Sequence, residues 1–328
     1  MLSGFYIATI NIILCSLFSY YLGPIVKKLG EKFKIIDIPN VRKVHTKPIV
    51  RIGGVSIFIT FLSYLLFCIF FNNFIYDYCF HYEKIFVILT GSIFFFLIGI
   101  HDDIYKSSPI LRLFLQFLIT FWVSINGIGF SSLNFYLPFY GDLNITLIFF
   151  IQHIFNAIWI VGLTNAINWI DGIDSLAAGY SSILSLGLCL LMFINGNYEG
   201  LIFFSIVLGS IIGFLIRNFK PAYYIMGDCG SNFLGFLLST SSLLFINKLQ
   251  NNNINIYHLL IIFSLPIFDM LFVISSRFIK NKNIFLPDKS HIHHRLLDLN
   301  LDHKYVISIL YFYSVISVSF GIFYLKTT

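Results

Sequence analysis

Long apolar runs, separated by charged or polar loops, constrain this chain more than any other feature of its sequence. Ten of them are close to the roughly 17 to 25 residues that an α-helix needs to cross the hydrocarbon core of a bilayer. They lie at about 2–23, 53–72, 85–101, 110–128, 146–163, 176–195, 200–217, 231–247, 256–277 and 305–325. We therefore predict an all-α polytopic membrane protein with about ten transmembrane helices, forming a single integral membrane domain over residues 1–328.

The basic residues predict how these spans are oriented. Ten spans place both termini on one side and the loops 24–52, 102–109, 164–175, 218–230 and 278–304 on the other. Of the 21 lysines and arginines, all but Lys84, Lys248 and Lys326 lie in or beside these five loops. By the positive-inside rule the five loops are cytoplasmic and both termini are outside.

Three other features complete the expected architecture. Residues 129–145 alternate in polarity and contain Gly141-Asp142, which predicts a small β-hairpin on the outer side. The five cysteines are scattered and form no metal-binding pair. The N-terminus lacks the basic region and cleavage site of a secretory signal, so its first apolar run is expected to remain as a span.

Two adjacent carboxylates, Asp102 and Asp103, follow the third span. Helix capping does not explain them, because the helix macrodipole disfavours anions at a C-terminus. They form either a solvated loop pair or a cluster that binds a cation or takes up a proton.

A second polar group consists of Asn165, Asn168, Asp171 and Asp174, which recur at three-residue spacing. If the segment is helical, these residues share one face and present four oxygen ligands. The alternative is that Asp171 and Asp174 cap the N-terminus of the sixth span.

The eighth span opens on Met226-Gly227-Asp228-Cys229-Gly230-Ser231. Glycines let a backbone approach a ligand closely, and the N–H groups of a helix start attract anions. Asp228 or Ser231 as a simple N-cap is the alternative.

Three histidines and an arginine near the end of the last inner loop supply donors suited to phosphate oxygens. They are His291, His293, His294 and Arg295. A solvated basic loop is one alternative, and a zinc site, which no cysteine supports, is another.

Two further parts of the sequence indicate a function less specifically. The segment from His45 to Gly54, which includes Arg51, is a functional candidate or simply the basic flank of the second span. Asp269 lies inside the ninth span, about 12 Å along the helix from Arg277. An acid within a span is a functional candidate, with a buried strut as the alternative.

Taken in order along the chain, these blocks resemble the polyprenyl-phosphate N-acetylhexosamine-1-phosphate transferase superfamily, in glycosyltransferase family 4. Its members are integral membrane enzymes that move a phospho-sugar from a UDP-sugar to a lipid phosphate. The matching blocks are His45 to Gly54, Asp102-Asp103, Asn165 to Asp174, Met226 to Ser231 and His291 to Arg295. One departure is Ser175, where the family pattern usually has glycine.

The histidine block is similar to that of the bacterial branch that transfers GlcNAc-1-phosphate to undecaprenyl phosphate and starts a cell-surface polysaccharide. A phospho-MurNAc-pentapeptide translocase is the nearest alternative. A proton-coupled transporter and a non-catalytic scaffold are the alternatives from other classes. The resemblance implies these partners: a UDP-N-acetylhexosamine, undecaprenyl phosphate and the lipid bilayer of a bacterial inner membrane, with no nucleic acid and an optional homodimer.

The resemblance also implies residue roles. Asn168 and Asp228 are expected to bind Mg²⁺, with Mn²⁺ as a substitute. Asp102 is expected to deprotonate or position the lipid phosphate beside Asp103, or to carry a covalent intermediate, with Asp171 and Asp174 in supporting catalytic roles. The expected substrate-binding residues are His45, Arg51, Lys106, Asn165, Asp269, Arg277, His291, His293, His294 and Arg295.

Overall fold

The computed structural model describes residues 2–39, 47–70, 82–130, 145–247, 249, 256–282 and 290–327. Twelve helices lie within these ranges, with one antiparallel pair of two-residue strands, β1 (Ile36–Asp37) and β2 (Ile49–Val50). The helices are α1 (Leu2–Lys32), α2 (Gly54–Phe70), α3 (Tyr82–Tyr105), α4 (Pro109–Ile125), α5 (Ile145–Ile170), α6 (Leu176–Ile194), α7 (Tyr198–Asn218), α8 (Gly227–Asn247), α9 (Ile256–Ile262), α10 (Ser264–Ile279), α11 (Ile292–Asp298) and α12 (His303–Thr327).

Each predicted span coincides with helical structure, and the prediction of an all-α polytopic membrane protein is confirmed. By length and apolar composition, seven of the described helices could cross a membrane: α1, α3, α5, α6, α7, α8 and α12. The helices α2 and α4 are apolar as well, at 17 residues each.

The ninth span, predicted as one helix, is two helices that break at Phe263. Pro266 explains the break, because a proline ring clashes with the carbonyl four residues earlier, here that of Ile262. Pro266 itself lies in the first turn of α10, where a missing N–H group costs nothing.

Two predicted loops are partly helical. Helix α1 continues through Pro24 to Lys32, and α5 continues through Asn165 and Asn168 to Ile170. Hydropathy marks where a chain leaves the lipid, whereas a helix ends where its backbone hydrogen bonds stop. Residues 131–144 of the predicted outer hairpin lie outside the described residues, and α5 begins at Ile145.

Helix α8 is the centre of the bundle. It packs against α2, α3, α5 and α6, and its most apolar segment is buried along its whole length. Phe236 stacks on Phe95 of α3 with ring centroids 4.3 Å apart, and Phe233 meets Phe58 of α2 at 5.3 Å. The N-terminal end of this central helix therefore has a fixed position relative to its neighbours.

The chain before α2 runs beside the chain before α8. Gly53 N donates to Ile225 O at 2.9 Å, Gly54 N donates to Met226 O at 2.8 Å, and Ile225 N donates to Val50 O at 3.0 Å. Strand β2 joins the same segment to β1, with Ile36 opposite Val50. These backbone bonds bring Arg51 to the start of α8.

Candidate active site

The start of α8 is held by a carboxylate of the protein itself. Gly227 opens the helix with a φ of 75°, which glycine adopts without the steric cost of a Cβ. The backbone N–H of Asp228 donates to Asp103 Oδ1, and that of Cys229 donates to Asp103 Oδ2, both at 2.9 Å. The unpaired N–H groups and the macrodipole stabilise an anion there. The sequence suggested that this helix start binds a ligand anion or is capped by Asp228 or Ser231. In the structure the carboxylate of Asp103 lies there instead.

Arg51 links Asp103 to other carboxylates. Its Nε lies 2.8 Å from Asp103 Oδ1, its Nη2 lies 2.6 Å from Asp228 Oδ2, and its Nη1 lies 3.8 Å from Asp37 Oδ1. Burial opposes the charged guanidinium, yet these carboxylates hold the pKa of Arg51 above its usual value. Arg51 is thus a charged bridge within the protein, and all three of its nitrogens already face carboxylates.

Asp228 is where three helices meet. Asn168 of α5 donates from Nδ2 to Asp228 Oδ1 at 2.7 Å and to Ser231 Oγ at 2.8 Å. The carboxyl group of Asp102, at the end of α3, lies close enough to Asp228 for the two to interact directly. On its other side, Asp102 Oδ2 accepts from Arg112 Nη1 of α4 at 2.8 Å. The two expected metal ligands and the expected catalytic acid are therefore neighbours.

The donor set of this cluster fits a hard divalent cation. Asp102, Asp228 and Asn168 bring carboxylate and amide oxygens together, and these are the protein ligands that a hard cation prefers. Among the described residues, no group of three or more His, Cys, Asp or Glu could hold a metal unaided. Mg²⁺ characteristically takes one or two protein oxygens and completes its shell with phosphates and water. The residues present fit such shared binding.

The four polar residues would share one face only if the whole segment were helical, and it is not, because the helix α5 ends at Ile170. Asp171 lies in the turn that follows, and its N–H donates to Asn168 O at 3.2 Å. Burial, and next the carboxylate of Asp228, raise the pKa of Asp171 well above its usual value. Asp174 lies farther along the turn and also interacts with His303 at the start of α12. Neither acid supplies the N-cap of α6, which is Ser175.

Ser175, the one departure from the family pattern, has a left-handed backbone with a φ of 67°. Its N–H donates to Asn218 Oδ1 at 2.9 Å, and its carbonyl accepts from the Tyr311 hydroxyl at 2.6 Å. The turn is therefore fixed by its neighbours although serine, unlike glycine, carries a Cβ that disfavours this conformation. Glycine, which is usual in the family at this position, adopts this left-handed backbone conformation without the steric cost of a Cβ.

Asn165 points away from the cluster. Its Nδ2 donates to Gln116 Oε1 at 2.8 Å and to Val161 O at 2.9 Å. Gln116 Nε2 in turn donates to Asn232 Oδ1 at 3.2 Å. These buried amides join α5, α4 and α8, so the structure gives Asn165 a role in helix packing rather than contact with the cluster.

Asp269 orients the histidine block. Its Oδ2 lies 2.8 Å from His291 Nδ1, and its Oδ1 accepts from the backbone N–H of Ile292 at 2.7 Å. The His291 ring packs edge-on against Trp169, with centroids 5.6 Å apart. Because Trp169 follows Asn168 in the chain, this contact places the histidine block beside the carboxylate cluster. Asp269 is therefore a buried, hydrogen-bonded structural residue, which was the alternative interpretation, and it also positions His291.

His293 is buried beneath the turn that carries Asp171. Its ring lies so close to Gly172 that a side chain there would collide with it. Neither ring nitrogen has a hydrogen-bond partner in the described part of the chain. Burial, and next His294 and His291, lower the pKa of His293 well below its usual value. A neutral ring therefore fills this position.

A cationic cleft of about 340 Å³ lies beside the histidine block. Its basic residues are Arg277, Lys280, Lys282 and Arg295, and Phe272, Ser276 and Ser290 complete its lining. The Arg277 guanidinium carbon lies 5.8 Å from the centre of the Trp169 ring, and that of Arg295 lies 4.1 Å from the Phe272 ring. Four cations around one cleft can bind a polyanion.

The remaining candidates lie outside these groups or the described residues. His45 is outside the described ranges, and the exposed Lys106 directly follows α3 in a left-handed conformation with a φ of 53°. Sequence reasoning did not select Arg112 and Trp169, which the structure places at or beside the cluster, or Gln116, which joins the packing network of Asn165. Arg112 and Gln116 are isolated polar residues inside an apolar helix, which is a signal of function in itself.

Comparison with known proteins gives concordant matches. The sequence model of glycosyl transferase family 4 matches residues 85–246. A probable undecaprenyl-phosphate N-acetylglucosaminyl 1-phosphate transferase of Bacillus subtilis is 33% identical over 294 residues, covering 88% of this chain and 77% of that protein. A protein of Thermotoga maritima, named undecaprenyl-phosphate alpha-N-acetylglucosaminyl 1-phosphate transferase, is 29% identical over 85% of this chain and 78% of its own length. A decaprenyl-phosphate N-acetylglucosaminephosphotransferase of Mycobacterium leprae is 28% identical over 93% of this chain and 80% of its own.

Proposed function

The chain belongs to glycosyl transferase family 4, and we propose that it transfers N-acetylglucosamine 1-phosphate from a UDP-sugar to a polyprenyl phosphate, releasing UMP. The names of its relatives support the sugar and the type of acceptor. The observation that carries the proposal is the meeting of Asp102, Asn168 and Asp228 from three separate helices. With the positive-inside rule, this supports a cytoplasmic site that starts a cell-surface polysaccharide in a bacterial inner membrane.

The reaction joins two anions. A phosphate oxygen of the acceptor attacks the phosphorus that carries the sugar, and the bond from that phosphorus to the bridging oxygen breaks. The bridging oxygen keeps the electron pair and leaves as part of UMP. Catalysis of such a transfer depends mainly on placing the attacking and leaving oxygens in line and on stabilising the charge of the transferring phosphoryl group.

Asn168 and Asp228 would hold Mg²⁺, which supplies charge neutralisation on the donor phosphates when it is bound. Asp102 lies beside Asp228 and is fixed by Arg112, so it can position the acceptor phosphate and take its proton. Arg51 and Asp103 keep the start of α8 in place.

The cationic cleft would bind the donor diphosphate. Arginine and lysine side chains are suited to phosphate oxygens, and the cleft brings together Arg277, Lys280, Lys282 and Arg295. Trp169 connects this cleft to Asn168, because Arg277 lies over its ring. The donor thus has a basic surface next to the metal-binding residues.

The test is release of UMP by the purified protein from UDP-GlcNAc, undecaprenyl phosphate and Mg²⁺, with the mass of the lipid product measured. Asp228→Asn and Asn168→Ala should each reduce turnover by about a hundredfold or more. The exposed Asp298→Asn is the matched control and should retain wild-type turnover. If no UDP-N-acetylhexosamine yields UMP, the transferase proposal is wrong.

The same assay separates the alternatives. A phospho-MurNAc-pentapeptide translocase would release UMP from UDP-MurNAc-pentapeptide and not from UDP-GlcNAc. A transporter or scaffold would release no UMP from either donor.

A further inference from the structure

Two basic side chains and two tyrosine rings meet where the end of α1 lies against the end of α7. Lys27 Nζ lies 3.7 Å from the centre of the Tyr223 ring. The guanidinium carbon of Arg217 lies 5.3 Å from the centre of the same ring and 3.9 Å from that of Tyr20. Cations are attracted to ring faces at such distances. The rings therefore hold two positive charges from different helices close together, and we call these four residues the α1–α7 basic site.

The position of Arg217 is set by the packing of the two helices. Its Nε donates to Tyr20 O at 3.0 Å. Gly23 lies one turn farther along α1, and a Cβ at this glycine would lie only 2.8 Å from Arg217 Cδ. The missing side chain lets the arginine cross the surface of α1. Arg217 is therefore held in place by its stem and Nε, with the end of its guanidinium group left over.

The charges of the basic site are not neutralised within the described part of the chain. No carboxylate there forms an ion pair with Lys27 or Arg217, and the two terminal nitrogens of Arg217 have no hydrogen-bond partner there. Arg51 and Arg112, by contrast, each pair with carboxylates. Both cations of the site are half-buried, and Tyr223 is 37% exposed. The site can therefore bind an anion that comes from outside the protein.

Apolar side chains extend from the basic site along the surface of the bundle. Leu17 and Ile13 precede Tyr20 by three and seven residues, so they lie on the same face of α1. Both are exposed, and so is Ile216, which precedes Arg217 in α7. In a membrane these side chains face lipid. A ligand of the site can therefore be anionic at one end and apolar along its length.

We propose that the α1–α7 basic site binds the phosphodiester headgroup of an anionic phospholipid from the surrounding membrane, with its acyl chains along the exposed apolar side chains of α1 and α7. Basic pockets between helices on the cytoplasmic side of a membrane suit such headgroups. A zwitterionic phospholipid fits less well, because the two cations repel its own positive group. The proposal goes beyond the transfer reaction, since this lipid is not a substrate.

A bound headgroup would stabilise the connection between α7 and α8. Tyr223 N donates to Arg217 O at 2.8 Å, and Asn218 Nδ2 donates to Tyr224 O at 3.0 Å. This connection leads directly to the start of α8, where the carboxylate cluster begins. A phosphate that contacts both Lys27 and Arg217 joins α1 to this connection. We therefore expect the lipid to raise the thermal stability of the protein.

Native mass spectrometry of the full-length protein tests the site without turnover. The protein is equilibrated in detergent with equal amounts of phosphatidylglycerol and phosphatidylcholine. The wild type should retain phosphatidylglycerol in preference, and Lys27→Gln and Arg217→Gln should each reduce this preference about fivefold, which corresponds to ~1 kcal/mol for each basic residue. Lys27→Arg keeps the charge and should keep the preference.

The matched control is Lys32→Gln, which removes the same charge from the same helix. The Lys32 ammonium lies 5.9 Å from the Phe33 ring and is not part of the basic site. This variant should retain phosphatidylglycerol within about twofold of the wild type. Equal losses in Lys27→Gln and Lys32→Gln would show a general attraction to basic surface and would overturn the site.

Thermal unfolding in the same detergent gives a second measurement. Phosphatidylglycerol should raise the melting temperature of the wild type by about 3 °C or more and leave that of Lys27→Gln unchanged. Without added lipid the two proteins should melt together, which shows that the variant folds. Wild-type retention of phosphatidylglycerol in both Lys27→Gln and Arg217→Gln, or equal retention of phosphatidylcholine by the wild type, would overturn the proposal. Displacement of phosphatidylglycerol by an equal concentration of undecaprenyl phosphate would also overturn it, because the site would then bind the acceptor.

Discussion

The carboxylate of Asp103 provides the sharpest test of how the paired aspartates divide their roles. In Asp103→Asn the side chain keeps its shape but offers one acceptor oxygen and one NH₂ group. That NH₂ group must face either a backbone N–H of α8 or the guanidinium of Arg51, all of which are donors. One hydrogen bond to α8 and the ion pair with Arg51 are therefore lost together.

The size of the effect follows from burial. The Asp103 side chain is fully buried, and removing one member of a buried ion pair costs about 3–5 kcal/mol. Asparagine retains one acceptor, so we expect the lower end, about 3 kcal/mol. Asp102→Asn should cost less, about 1 kcal/mol, because asparagine keeps an acceptor for Arg112 and removes the repulsion from the neighbouring carboxylate of Asp228.

The assay combines thermal unfolding in detergent with hydrogen exchange at the amides of Asp228 and Cys229. Asp103→Asn should lower the melting temperature and speed exchange at both amides, whereas Asp102→Asn should lose turnover with little change in either. Adding Arg51→Gln to Asp103→Asn should cost less than the sum of the single changes. If Asp103→Asn melts and exchanges like the wild type but loses turnover, Asp103 acts in the chemistry and the structural argument is wrong.

Three further outcomes are expected. Ser175→Gly should stabilise the protein by about 1 kcal/mol in a thermal shift assay, because glycine relieves the left-handed strain; Ser175→Ala, which keeps a Cβ, is the control, and an equal gain in Ala would contradict the explanation. Gln116→Leu should cost about 1–3 kcal/mol by leaving Asn165 without its buried partner, with turnover per folded molecule retained; unchanged stability with lost turnover would instead place this network in the site. Because the pKa of His293 is lowered, the unfolded chain takes up a proton there first, so stability should fall as the pH drops below about 6.5. His293→Gln should flatten the melting temperature between pH 7 and 5, and an unchanged slope would refute this.

The membrane architecture could be predicted from the sequence because apolar length is a direct physical requirement of a span. The ends of the helices could not be predicted in the same way. The last turns of α5 contain polar residues, and a hydropathy pattern assigns such residues to a loop. The two-residue strands β1 and β2 were also missed, because a periodic pattern needs more residues than they contain. The break at Phe263 had a readable cause in Pro266, which the apolar run concealed.

Within the site, the motif residues Asp102, Asn168 and Asp228 were selected from sequence, and the structure places them together. Their separate directions were harder to predict. Asp102 and Asp103 are adjacent, but successive residues on a helix point about 100° apart, so one meets Arg112 and the other meets α8. Such differences depend on which helix packs on each side, and spacing along one chain does not contain that information. The metal-binding role of Asn168 and Asp228 stays a prediction.

The burial of α8 also bears on how the protein is made. A helix enclosed by protein on every side touches almost no lipid in the finished bundle, although it must first be delivered into the bilayer. The helices that enclose it, α2, α3, α5 and α6, all precede it in the chain and leave the ribosome earlier. The helices that pack around α8 have therefore already been synthesised when α8 leaves the ribosome. Biogenesis from N- to C-terminus thus matches the order in which the centre of this enzyme can be assembled.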